Sequence, residues 1–91
     1  MIEVNISYDL LQDMDQQAYQ KWAKKTVDLL FQSPGLVEFR AKRNELGSPQ
    51  VQATSVWQTA ADLANFSKSV EWRGHETEMR AFVNNKCVKL W

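Results

Sequence analysis

From Met1 to Tyr8 apolar and polar side chains alternate. Ile2, Val4, Ile6 and Tyr8 fall on one face, and Glu3, Asn5 and Ser7 on the other. A period of two predicts a strand. Asp9 to Asp15 is polar and acidic, and suits entry into a helix, whose first turn favours negative charge. The period then lengthens. Over Asp15 to Phe31, Tyr19, Trp22, Ala23, Thr26, Val27 and Leu30 recur at helical spacing and form one apolar stripe, with Lys21, Lys24, Lys25 and Asp28 opposite. Ser33-Pro34-Gly35 ends this helix, because proline cannot continue it and glycine accepts the turn. Leu36 to Arg43 alternates again, with Val37, Phe39 and Ala41 on one face and Glu38, Arg40 and Lys42 on the other. Asn44 to Pro49 is a hairpin-like turn carrying Gly47, Ser48 and Pro49.

Gln50 to Trp57 predicts a third strand, with Val51, Ala53, Ser55 and Trp57 on one face. Thr59 with Asp62 three residues on resembles a capping box and opens a second helical region. Leu63, Ala64, Phe66 and Val70 give it an apolar face. Trp72-Arg73-Gly74-His75 is expected to interrupt it, with Gly74 the weak point. Glu76 to Phe82 resumes a helix, and Val83 to Trp91 is a fourth strand with Cys87, Val88, Leu90 and Trp91 as its apolar members. The order β-α-β-β-α-β predicts an α+β domain, ferredoxin-like, with a four-stranded antiparallel sheet and helices on one face. The other face is expected to be half apolar and to be covered by a second copy, so that a homodimer forms an α/β barrel.

Composition narrows the classes. Ninety-one residues make one domain, spanning 1–91. A chain this short buries only roughly 60–65% of its unfolded surface, which favours added burial in a partner. Eleven basic and eleven acidic residues cancel, so the basic excess that drives nucleic-acid binding is missing. No apolar run approaches a membrane span, the start does not resemble a signal peptide, and the default address is cytoplasmic. A single cysteine, Cys87, forms no internal disulfide and has no neighbouring base to make it a nucleophile. One histidine and one cysteine do not furnish a protein-only zinc site, and no glycine-rich nucleotide loop occurs; no cofactor is expected. The third strand lacks the glycine and paired aromatics of an RNA-recognition module.

The run Pro34-Gly35-Leu36-Val37-Glu38-Phe39-Arg40, then Ser55-Val56-Trp57-Gln58-Thr59, Asp62-Leu63-Ala64-Asn65-Phe66 and Trp72-Arg73, resembles the antibiotic biosynthesis monooxygenase family over essentially the whole chain. The resemblance implies a dimeric barrel of two ferredoxin-like protomers, each with a pocket between sheet and helices. It implies, among other activities, cofactor-free oxygenation of electron-rich aromatics such as quinols and anthrones. The haem-degrading branch carries an Asn in the first strand, a Trp in the second helical region and a His about ten residues on. Asn5 matches the first, but Phe66 stands at the Trp position and Glu76 falls closest to the His position, with His75 one residue early, so haem degradation is the less expected activity.

Six residues are candidates, each with a plainer alternative. His75 is the only histidine, and imidazole titrates near neutral pH, so it is the natural base for a phenol; the alternative is a surface histidine in a helix break. Asn5 can hold an oxyanion with its amide, or be a polar residue of an interfacial sheet face. Trp57, Phe66 and Trp72 can wall a flat substrate, or simply pack the core. Tyr8 offers a hydroxyl to the substrate, or caps the sheet. The function expected is a small cofactor-independent monooxygenase; a non-catalytic ligand-binding or dimerisation module is the alternative.

Overall fold

The computed structural model describes residues 1–44 and 46–90. Its elements are β1 (Ile2–Leu10), α1 (Gln16–Phe31), β2 (Leu36–Arg43), β3 (Val51–Trp57), α2 (Ala60–Lys68), α3 (Val70–Glu78), a 3-10 turn (Met79–Ala81) and β4 (Val83–Leu90). Glu45, in the hairpin, and Trp91, expected at the end of β4, lie outside the described residues. The four strands form one antiparallel sheet in the order β2-β3-β1-β4. This is the ferredoxin-like arrangement expected from the element order.

Local chemistry sets the helix ends. The Asp15 carboxylate accepts from the backbone N–H groups of Gln17 and Ala18, so the helix begins one residue after it. Thr59 and Asp62 form the expected cap, with the Asp62 N–H donating to Thr59 Oγ1 at 3.1 Å. The break in the second helical region differs from expectation. It falls at Ser69, not at Trp72–His75. The Ser69 N–H donates to the Phe66 carbonyl while its hydroxyl accepts from the Trp72 N–H, so one residue closes α2 and caps α3. Gly74 lies on the solvent side of α3, and the buried His75 and Met79 hold the inner side of the α3–turn segment. Buried packing outweighs the propensity cost of one exposed glycine.

The sheet face toward the helices carries the core. Tyr8, Trp22, Val51 and Met79 form one buried group and Val4, Leu30 and Trp57 another, with Ile6 packed against both. Val37 departs from the expected inward set. A bulge between Leu36 and Glu38 makes Leu36 the partner of Trp57 and leaves Val37 half exposed. An extra residue in one strand flips the parity of all that follow it.

The other face differs from the expected half-apolar surface. Register places Glu3, Asn5, Ser7, Arg40, Lys42, Gln52 and Thr54 there, with Val56 among them. Arg40 bridges Glu3 and Glu38, and the Thr54 hydroxyl donates to Asn5 Oδ1 at 2.7 Å. The face is a polar network. No helix among the described residues is long and apolar enough to cross a membrane.

Gly35 joins α1 to the sheet at φ +87°, and its carbonyl accepts from the Gln58 N–H. A Cβ there would collide with the Asp62 side chain. Gly35→Ala therefore meets a left-handed backbone and displaces the cap of α2. The two penalties, each on the order of 1 kcal/mol, sum to about 2 kcal/mol. In a domain of this size that lowers the melting temperature by roughly 10 °C; a melt within a degree or two of wild type would contradict the geometry.

Candidate functional site

Between the inner face of the sheet and α1, α2 and α3 lies a cavity of about 400 Å³. That is within the range of small-molecule sites, about 300–1,000 Å³. The walls are apolar and aromatic. Trp57 is fully buried, and its indole N–H donates to Ser55 Oγ at 3.0 Å. From it a chain of ring contacts runs around the cavity: Trp57 to Phe66 at 5.0 Å, Phe66 to Trp72 at 4.7 Å, Trp72 to His75 at 5.9 Å, and His75 to Trp22 at 4.6 Å. Trp57, Phe66, Trp72 and Tyr8, the four residues expected to touch a substrate, all line this one cavity.

Tyr8 meets Tyr19 hydroxyl to hydroxyl at 2.9 Å. Burial, followed by the bond to Tyr19, pushes the Tyr8 phenol well above its ordinary value. It stays protonated at any physiological pH and acts as a hydrogen-bonding group, not as a base.

His75 is not a surface histidine. It is 2% exposed, and its ring stacks on Trp22 with only 6° between the planes. The Trp22 indole N–H donates to the His75 carbonyl at 2.9 Å, locking α1 to α3. His75 Nε2 lies 2.5 Å from Thr26 Oγ1, which also lies 3.0 Å from the Trp22 carbonyl. The Thr26 hydroxyl has one hydrogen and two acceptors in reach. When it donates to the carbonyl, Nε2–H donates to Thr26, and Nδ1 is a bare lone pair with no partner among the described residues. When it donates to Nε2, the ring proton moves to Nδ1 and is buried unsatisfied. The first arrangement is the resting one, because a stranded N–H costs about 1–3 kcal/mol. Burial holds the imidazole pKa below its ordinary value, the nearby Lys25 charge acting in the same direction against Glu78, so the ring is neutral at neutral pH.

His75 does not line the cavity; Thr26 does. The polar route from the cavity to the imidazole runs through the Thr26 hydroxyl. Sequence reasoning placed Thr26 and Trp22 in the apolar stripe of α1 and gave them no role. The available signal was a hydroxyl at a stripe position one turn from a tryptophan. Asn5 is on the opposite face of the sheet, bonded to Thr54 and Glu3. The structure does not bring Asn5 and His75 together within one chain. The charged side chains at the cavity are Glu76 and Lys86. Among the described residues no group of three or more His, Cys, Asp or Glu side chains could hold a metal.

No protein-family model matches the sequence, and no curated protein is similar to it. Solved structures are similar across nearly the whole chain. The cofactor-independent oxygenase SnoaB from Streptomyces nogalater superposes with a TM-score of 0.84 over 99% of this chain and 89% of its own, at 13% identity. A proposed antibiotic biosynthesis monooxygenase from Nitrosomonas europaea gives 0.81 over 100% and 96%, at 11% identity. A dimeric ferredoxin-like protein of unknown function from Thermobifida fusca gives 0.83 over 99% and 88%, at 6% identity. The chain therefore has the ferredoxin-like fold of these solved structures.

Proposed function

We propose that this protein binds a flat, electron-rich aromatic molecule of the quinol or anthrone kind and oxygenates it without a cofactor. The observation that carries the reading is the aromatic-walled cavity whose surface hydroxyl, Thr26, is hydrogen-bonded to a buried, neutral histidine. The likeness in fold to a cofactor-independent oxygenase supports it.

In this reading the aromatic walls take the rings and exclude water. To act as the base the ring first takes its second tautomer, with the proton on Nδ1 and Thr26 donating to Nε2, at a cost of about 1–3 kcal/mol. The substrate phenol then gives its proton to Thr26 Oγ1 while Thr26 passes its own to His75 Nε2. The phenolate is rich enough in electrons to react with O2. With an anthrone, whose reacting carbon bears two hydrogens, one oxygen atom becomes the new carbonyl on that carbon. The second leaves as water with the two hydrogens that carbon loses, so the substrate supplies every electron. A positioned base contributes about 10²–10⁴-fold, and the apolar walls strengthen each polar contact made against them.

One observation favours a second reading, a non-catalytic binding module: the imidazole is behind the cavity wall and reaches it through one hydroxyl. Oxygen consumption by the metal-free protein across a panel of quinols and anthrones separates the two. Uptake above the uncatalysed rate is expected. Quenching of tryptophan fluorescence by the same compounds with no uptake would leave only the binding module.

The protein is also proposed to act as a homodimer, its polar sheet faces packed together. The burial of Thr54 on that face, where it bonds the half-buried Asn5, and the fold likeness to a dimeric protein support this. Such an interface buries about 1,200 Å² or more, and light scattering is expected to give twice the 10.6 kDa chain mass at micromolar concentration; the mass of a single chain would end the idea.

A further inference from the structure

Strand β4 carries a second irregularity, and it aims a charge at the cavity. Asp9 pairs with Asn84 and Ser7 with Cys87, so one residue of β1 faces two of β4, Asn85 and Lys86. This is a bulge. Without it Ser7 would pair with Lys86, and the lysine would sit on the outer, polar face beside Ser7. With it Lys86 joins Val88 and Leu90 on the helix-facing side, where it lines the cavity. The bulge needs Asn85 at φ 56°, a left-handed backbone that L-residues other than Asn and Gly rarely take.

The fold invests a network in holding it. Asn85 Nδ2 donates to the Asp9 carboxylate at 3.0 Å, and that carboxylate also accepts from Ser48 Oγ and from the Gln50 N–H. Bonds from Asn85 and Ser48 hold the Asp9 carboxyl below its usual range, so the anchor is charged at neutral pH. Lys86 itself makes no ion pair among the described residues, and the cavity's other charge, Glu76, is not within bridging distance of it. A strained backbone thus turns an exposed cation to the rim of a largely apolar cavity whose other charge is Glu76.

We propose that Lys86 is the anion-recognising residue of the cavity, and that the ligand is an aromatic carboxylate whose acidic group meets the ammonium at the rim while its rings lie against the tryptophans. This rests on the cavity being the ligand site, and narrows the substrate to aromatics that carry an anionic group.

The test uses an anthracenecarboxylate and its methyl ester, titrated by tryptophan quenching. One charge-assisted contact at a partly wet rim is expected to make the wild type prefer the acid by about tenfold. That preference shrinks with added salt. Lys86→Met, which keeps length and removes charge, brings the acid down to the affinity of the ester. Lys86→Arg retains most of the preference. Asn85→Gly, which allows the same backbone, also retains it, whereas Asn85→Val loses it with the bulge. If the ester binds and the acid is not preferred, or if Lys86→Met weakens both alike, the role of Lys86 is overturned while the cavity reading stands. If neither compound binds, both fall together.

Discussion

Trp57→Ala is expected to remove a large share of the stability of the domain. Trp57 is fully buried at the end of β3, and its ring meets Phe66 at the start of the aromatic wall. Replacing such an indole by a methyl group costs about 3–5 kcal/mol. A domain of this length has roughly 5–14 kcal/mol in total. The Ser55 hydroxyl also loses its indole donor. The variant is expected to melt at least about 15 °C below wild type, or to show no cooperative transition at all. Trp57→Phe keeps most of the apolar contact and gives up the hydrogen bond, at a cost near 1–2 kcal/mol. A drop under about 5 °C for Trp57→Ala would mean that this side chain is not packed as described.

The second large effect concerns His75. His75→Gln is expected to lower oxygen uptake by roughly 10²-fold, the lower part of the range for a single positioned base. Thr26→Val should approach the same loss, because it removes the hydroxyl that connects cavity and imidazole while conserving shape. A merely structural role for Thr26 would change melting temperature and spare the rate.

The pH profile provides a further readout. A base works when neutral, and burial lowers the pKa of His75. The rate is therefore expected to hold as pH falls to the ordinary imidazole value of about 6.5, and to decline only below it. Stability falls in the same direction but begins to fall at a higher pH. Between the lowered folded value and the ordinary unfolded one, the unfolded chain binds more protons, so stability falls as pH drops below about 6.5. His75→Gln should flatten that slope. An acid limb of the rate centred above neutrality would exclude this histidine as the base.

The amino-acid sequence by itself determined the order and type of the elements and most of the inward side chains. Alternation in β1 and β3 and the stripe of α1 are local, repeated signals, and each apolar position has one hydrophobic face to bury. The wall residues Trp57, Phe66 and Trp72 were legible for the same reason, as large apolar groups on inward faces. What only the tertiary structure decided depends on contacts between distant residues. The second helical region breaks at Ser69 because its hydroxyl and N–H both find helix ends, a choice the nearby Gly74 obscured.

His75 turned out to be buried because Trp22 and Thr26, about fifty positions earlier, stack on it and bond it. Asn5 faces away from His75 because the sheet separates them. The two bulges, at Val37 and at Asn85–Lys86, shift strand parity without any periodic trace. A one-residue insertion in a ladder is specified by its partner strand, here by Asp9 bonded to Asn85. It is therefore invisible to a pattern read along one strand, yet it decides which side chains enter the cavity.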